Sequence, residues 1–165
     1  MEYLSEQRLI GVNPQLAALI RKLDDQFRVR YPDSILRVTQ ALRTWDEQAD
    51  LYAQGRTEPG PIVTNAPPGH SYHNLGLAVD LVPMSHGQAI WDTEDARWAG
   101  MVALGTALGL TSGACWQSIK DFPHFQLEGS LPVSPDDATR ALYAKGGVEA
   151  VWEAAGLVDT DTKDA

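Results

Sequence analysis

The stretch that most constrains this chain is Ser71-Tyr72-His73-Asn74-Leu75-Gly76-Leu77-Ala78-Val79-Asp80, with a downstream counterpart in Asp121-Phe122-Pro123-His124-Phe125-Gln126. Both read as a loop running into a strand. From Leu77 to Val82 the side chains alternate, so that Leu77, Val79 and Leu81 share one face and Ala78, Asp80 and Val82 the other. Asp80 therefore points away from the bulkier side, next to small Ala78, which leaves room for an ion. From Pro123 to Glu128, Phe125 and Leu127 take one face, and His124 and Gln126 the other. Two strands thus each direct a ligand-type side chain at one side of a sheet, and His73 arrives from the loop ahead of the first.

Zinc in a hydrolase commonly takes three protein ligands and keeps a fourth position for water, and two imidazoles with one carboxylate suit it. No HExxH segment occurs, which argues against a helix-borne site. The residues alone leave two readings standing. One is a metal centre; the other is a set of ordinary surface or satisfied core residues, the usual fate of a histidine or aspartate on a strand.

The pattern Ser71-x-His73-x-x-Gly76-x-Ala78-x-Asp80, followed by Asp121-x-x-His124, resembles the signature of the zinc L-alanyl-D-glutamate peptidases. These peptidoglycan-cleaving enzymes include many phage endolysins. They are related to D-alanyl-D-alanine carboxypeptidases and dipeptidases, and share a fold with the hedgehog amino-terminal domain. Supporting matches lie at Leu42-Arg43-Thr44 with Glu47-Gln48, and at Ala144-Lys145-Gly146-Gly147, so the resemblance runs from about residue 8 to about residue 156. It implies an α+β fold, a small antiparallel sheet carrying the zinc site and packed with about five helices. It also implies that His73, Asp80 and His124 hold one zinc ion per chain, with Asp121 as acid and base. Arg43 would contact the substrate or the developing oxyanion. Beside these, Ser71 reads as binding substrate or orienting the site, Gln48 as reaching the substrate from its helix or lying exposed, and Trp116, where relatives carry a tryptophan, as lining the substrate groove or packing in the core. The implied reaction is hydrolysis of the L-Ala–D-Glu bond of a peptidoglycan stem peptide. A D-alanyl-D-alanine carboxypeptidase is the alternative within the family. A non-catalytic, zinc-containing wall-binding module is the alternative of another class; Asp121 argues against it, since a structural site needs no base. A carbohydrate-cleaving lysin would need paired carboxylates, and the acidic residues here show no distinguishing spacing.

Bulk properties narrow the partners. At 165 residues the length fits one domain spanning the chain. The net charge of −9 argues against a basic nucleic-acid face and against general adhesion to anionic wall polymers or lipid. A single cysteine, Cys115, excludes an internal disulfide framework, and the expectation is a small buried apolar residue. No apolar run reaches transmembrane length. Met1-Glu2-Tyr3-Leu4-Ser5-Glu6 has neither a basic n-region nor an apolar h-region, so no signal peptide is expected. Synthesis in a host cytoplasm and later holin-dependent release to the wall are what the resemblance implies. A monomer is expected.

Along the chain, residues 1–12 read as a loosely ordered leader. Asn13 and Pro14 form an N-cap and first helical position, followed by a stripe of Leu16, Leu19, Ile20, Leu23 and Phe27. Arg21, Lys22, Asp24 and Asp25 lie off that stripe and read as a solvated face. Ile35 to Leu42 reads as a strand that delivers Arg43. Thr44 to Glu47 has the capping-box pattern and opens a short helix to about Ala53. The Gly- and Pro-rich stretch 54–69 reads as a loop walling a cleft, with His70 exposed at its end. Met84 to Trp91 reads as a loop in which His86 is no ligand. Thr93-Glu94-Asp95 starts a helix bearing Trp98, Met101, Val102, Leu104 and Leu108, expected to be the most buried one and to stop at Gly109. Ser134 to Asp137 caps a helix through Tyr143, broken at Gly146-Gly147. Val148, Val151, Trp152 and Ala155 form one face of a last helix. The tail 158–165 is polar and expected to be loosely ordered, and no linker to a separate wall-binding module is visible.

Overall fold

The computed structural model describes residues 1–117 and 120–158. The architecture is α+β. Among the described residues, helices α1 (Tyr3–Arg8), α2 (Pro14–Arg30), α3 (Trp45–Ala53), α4 (Ala96–Ala107) and α5 (Asp137–Ala155) surround strands β1 (Ser34–Gln40), β2 (Ala78–Ser85), β3 (Gln88–Ala89), β4 (Thr111–Ser112) and β5 (His124–Gln126). The strands run β1-β2-β5-β4 across one sheet, with β3 also paired to β2, and every pairing is antiparallel.

Strand β2 is the axis of this arrangement. Its alternation buries Val79 and Leu81 completely, and its register with β5 sets Asp80 opposite His124 and Val79 opposite Phe125. On its other side it pairs with β1 from Ser34↔Ser85 to Gln40↔Asp80, with a register shift between Val38 and Gln40. A bulge there bends the strand end that leads to Arg43. Pro83 is tolerated inside β2 because of what lies beside it. Leu81 N–H donates to Pro123 O on the β5 side, and Pro83, two residues on, would have faced the same side. There β5 has ended and β3 has not begun, and only the Pro83 carbonyl is used, by Ile90 N–H.

The main core lies between α2, α4 and the sheet. Leu16, Ile20, Leu23 and Phe27 of α2 pack with Leu36, Val38 and Leu81 of the sheet and with Trp98 and Met101 of α4, all fully or almost fully buried. Each such side chain contributes about 1.5–3 kcal/mol relative to exposure. The Asn13 cap is formed as its residue type predicts: its Oδ1 accepts from Gln15 N and Leu16 N, while its Nδ2 donates to Leu157 O. A second cluster joins Tyr72, Leu75 and Leu77 to Val151, Ala155 and Leu157, so α5 clamps the turn that precedes β2. Trp152 Nε1–H donates to Leu75 O at 2.8 Å and fixes that contact. The two expected C-terminal helices meet at a kink at Gly146 and Gly147, the latter at φ +68°.

Several expectations are corrected. Residues 3–8 are not a loose leader but a helix laid on β1. Ser5 Oγ accepts from Val38 N, Glu2 pairs with Arg37, and Arg8 donates to Val38 O, so polar contacts hold a segment with little apolar patterning. Asp24 is not on a solvated face. It is fully buried and accepts from Leu36 N–H at 2.8 Å and Arg28 Nε at 2.8 Å, because a sheet-edge donor lies opposite that turn of α2. Met84 to Trp91 is mostly not a loop: β2 runs to Ser85 and turns through His86 and Gly87 into β3. His86 sits exposed on that turn with φ +49°. Helix α4 is not the most buried one, since Val102, Leu104 and Leu108 are only partly covered whereas α2 contributes four fully buried apolar side chains. The expected loose tail from residue 159 onward lies outside the described residues.

Candidate metal centre and active site

His73 is placed by a 3₁₀ turn, Tyr72–Leu75, whose cap is Ser71: the Ser71 hydroxyl accepts from His73 N–H at 3.3 Å. The turn ends at Gly76 with φ +65°, where a Cβ would come within 2.9 Å of Gly11 O, so only glycine satisfies both the conformation and the space. His73 Nδ1 lies 2.8 Å from Ala41 O. A carbonyl only accepts, so the proton sits on Nδ1 and Nε2 presents a bare lone pair.

His124 reaches the same point from β5 with the opposite nitrogen. Its Nε2 lies 2.9 Å from Gln126 Oε1. The Gln126 amide nitrogen is committed to Glu128 Oε1 at 2.7 Å and Val133 O at 2.9 Å, both acceptors. Gln126 must therefore offer its oxygen to His124, which carries its proton on Nε2 and leaves Nδ1 bare.

These two lone pairs converge with Asp80. His73 Nε2 is 3.2 Å from His124 Nδ1 and 3.2 Å from Asp80 Oδ1, and His124 Nδ1 is 3.4 Å from the same oxygen. Three electron-rich atoms facing one another repel unless a cation lies among them. A tetrahedral zinc with bonds of about 2.0–2.1 Å spaces its ligands about 3.3 Å apart, which matches this triangle. The geometry and the donor chemistry both fit that ion. These residues form the three-donor cluster able to hold a metal among the described residues.

Electrostatics point the same way. Burial opposes charge on Asp80, but the His73 and His124 rings outweigh it and hold the carboxyl well below the usual carboxylate range. Burial likewise opposes charge on His124, yet the hydrogen bond and field of Asp80, helped by Gln126 and Asp121, favour a positive charge at that point. The second oxygen, Asp80 Oδ2, is 3.8 Å from Arg43 Nη2. Arg43 is 8 % exposed; burial pulls its pKa down and Asp80, Glu47 and Asp121 pull the other way. Its Nη1 donates to Gln48 Oε1 at 2.7 Å and its backbone N–H to His73 O at 3.0 Å, so arginine and ligand are held together.

Asp121 stands at the entrance to β5. Its N–H donates to Gly113 O and its carbonyl accepts from His124 N–H, which makes Asp121-x-x-His124 a closed turn. A Cβ on Gly113 would lie 2.6 Å from Asp121 O and 3.0 Å from His124 Cβ, so this glycine lets Asp121 and His124 approach the adjoining segment. Burial first, and Asp80 second, raise the Asp121 pKa against the opposing pull of His124, His73 and Arg43.

His73, Asp80, His124, Arg43 and Asp121 line one groove of about 970 Å³. Stretch 62–67 and Val133, Ser134 and Pro135 also line it, with Trp116 beside His124. The Trp116 ring centroid is 4.9 Å from that of His124 at 45°, and its Nε1 has no hydrogen-bond partner among the described residues. Ser71 and His70 line the groove as well. Two side chains depart from expectation. Gln48 does not reach substrate space: it is fully buried, bonded to Arg43 at one end and to Ala66 O at the other. Cys115 is not a buried apolar residue but an exposed one on the groove wall, because the 3₁₀ turn Gly113–Cys115 carries it outward.

Comparison with known proteins agrees with this geometry. A family model described as D-alanyl-D-alanine carboxypeptidase matches residues 64–127, the span that holds His73, Asp80, Asp121 and His124. The peptidoglycan L-alanyl-D-glutamate endopeptidase CwlK of Bacillus subtilis (strain 168) is 40 % identical over 98 residues, covering 54 % of this chain and 59 % of that protein. The crystal structure of the L-Ala D-Glu endopeptidase ChiX of Serratia marcescens superposes with a TM-score of 0.58 and 27 % identity, over 77 % of this chain and 88 % of that one. The chain shares its fold with the ChiX structure, and His73, Asp80, Asp121 and His124 fall within the span matched by the family model. The match nevertheless spans less than two thirds of the Bacillus protein.

The sequence gives no explicit role to two parts of the site. Gln126 stands on the His124 face of its strand, so alternation carries a signal for it. Gly113 is marked only by the resemblance, since the need for a missing side chain arises once β4 and β5 lie side by side.

Proposed function

We propose that this protein is a zinc-dependent peptidoglycan peptidase that cuts the L-Ala–D-Glu bond of stem peptides, acting as a monomeric, single-domain enzyme. The observation that carries the proposal is the convergence of three unprotonated donors, His73 Nε2, His124 Nδ1 and Asp80 Oδ1, beside a carboxyl group of raised pKa. When bound, zinc would polarise the scissile carbonyl and make water acidic enough to attack at neutral pH. Asp121 takes the proton of the attacking water and returns it to the leaving amine, and its raised pKa suits both duties. Arg43 holds Asp80 in place and offers positive charge to the groove. There it opposes the charge of a tetrahedral intermediate or anchors the free carboxylate of a γ-linked glutamyl residue. Trp116 supplies an apolar wall against His124.

The endopeptidase reading is preferred over carboxypeptidase trimming because the groove, lined by 62–67 and 133–135 as well as by His73, Asp80 and His124, measures about 970 Å³, which suits a length of chain more than a single terminal residue. The net charge of −9 removes electrostatic attachment to anionic wall polymers as a source of affinity, so recognition rests on the groove. The endolysin-type reading, with phage origin and holin-dependent access to the wall, rests on the motif resemblance. No helix among the described residues is long and apolar enough to cross a membrane.

Mass spectrometry of purified peptidoglycan digested with and without a chelator tests the proposal. New amino-terminal D-Glu fragments with matching free L-Ala carboxyl ends, abolished by the chelator, are expected. Release of D-Ala alone would move the assignment to the carboxypeptidase. Zinc bound without cleavage of any wall type would favour the binding module.

A further inference from the structure

We infer that Gln126 is a positioning residue for the metal centre, the middle link of a hydrogen-bonded relay that fixes which nitrogen of His124 faces the ion. The inference rests on the zinc reading above and adds a residue to it. The relay begins at Thr111 on β4, whose hydroxyl donates to Glu128 Oε2 at 3.0 Å. Glu128 Oε1 accepts from Gln126 Nε2, and Gln126 Oε1 accepts from His124 Nε2. Every member has one orientation open to it. The Gln126 amide nitrogen faces two acceptors, Glu128 and Val133 O, so a flipped amide would set oxygen against oxygen at both. Gln126 is 2 % exposed, so water cannot substitute for a lost partner.

The amide serves differently from a carboxylate at the same place. A carboxylate next to His124 would add a second negative charge to a centre that already holds Asp80. The amide instead delivers the orienting effect of Glu128 at one remove, holding Nε2 as the donor and turning Nδ1 toward the other two donors. Outer partners of this kind set ligand tautomer and ring angle, and their loss costs about 10- to 100-fold in metal affinity. The relay also carries a tether, since Gln126 Nε2 donates to Val133 O and thereby holds the groove wall at 133–135 to the strand that bears His124.

Chelator competition with zinc on wild type, Gln126→Leu and the exchanged pair Gln126→Glu/Glu128→Gln is the test. Gln126→Leu should bind zinc about 10- to 100-fold more weakly. Its cobalt derivative should show an altered visible spectrum. The exchanged pair restores an acceptor for His124 and a donor behind it but sets a carboxylate oxygen against Val133 O, so its affinity should rise above that of Gln126→Leu without reaching wild type; a purely packing role would not be rescued by it. Long-range ¹H–¹⁵N spectra of zinc-loaded wild type provide a check that needs no variant, and should show His124 protonated at Nε2. Equal zinc affinity in wild type and Gln126→Leu would overturn the inference, as would a protonated Nδ1 in the spectra. Failure of wild type to bind zinc at all would instead sink the metal reading beneath it.

Discussion

The floor and the wall of the groove are built in opposite ways. The floor takes Asp80 and His124 from adjacent positions on paired strands, with His73 clamped by a capped turn, and each ligand is held by a second hydrogen bond or ion pair. The wall at 62–67 is a Gly- and Pro-flanked loop in which Ile62 and Val63 are 55 % and 51 % exposed. On the proposed function, chemistry would thus sit on groups whose positions are over-determined, and substrate contact on groups more exposed to solvent. Floor substitutions should therefore change metal binding and kcat, and wall substitutions KM.

The largest break in that contrast should come from the ligands. His73→Ala or Asp80→Asn should abolish activity and zinc retention and remove the chelator-sensitive part of the thermal stability. Saturation at 100 times Kd supplies about 2.7 kcal/mol of that stability, readable as a Tm difference with and without chelator. A full zinc complement in either variant would reassign the ligand. Next comes Asp121→Ala, which should keep zinc and lower kcat by about 10²- to 10⁴-fold; retained turnover would remove the base.

The same carboxyl gives a pH test. Its pKa is raised on folding, so the stability linked to its proton is complete at low pH and is lost as pH rises through the folded value. Asp121→Asn, which cannot ionise, should raise the Tm of chelator-treated protein at neutral pH and leave it unchanged in acid. Smaller effects belong to the wall. Ile62→Ser with Val63→Ser should raise KM about 3- to 10-fold on a stem-peptide substrate with kcat and zinc content unchanged, and a fall in kcat would show that the wall takes part in the chemistry. The smallest effect should be that of Cys115→Ser, with metal content unaltered; a drop would implicate the thiol.

What could be read from the sequence was whatever depends on local period or local chemistry. Alternation placed Asp80 and His124 on like faces, Asn13 and Thr44 announced their caps, and the Gly-Pro run announced the wall. What could not be read depends on partners far along the chain. Helix α1 exists because β1 offers Arg37 and Val38 to its polar side chains, and Asp24 is buried because Leu36 N–H requires an acceptor. Gln48 was expected at the substrate because nothing local reveals that Ala66 and Arg43 would enclose it. The family resemblance supplied the ligand assignment that spacing left open, but not the tautomers, which emerge from Ala41 O and Gln126.

The strand order β1-β2-β5-β4 also has a consequence in time. During synthesis β1 and β2 can pair as soon as both have emerged, bringing His73 and Asp80 together. The third donor arrives about 40 residues later on β5, just after Asp121, and must slot between β2 and the short β4. A nascent or truncated chain that stops short of Asp121 holds two of the three donors and lacks that carboxylate, too few to grip an ion. The donor triangle is therefore open until β5 joins the sheet, and the last strand to be made is the one that closes it.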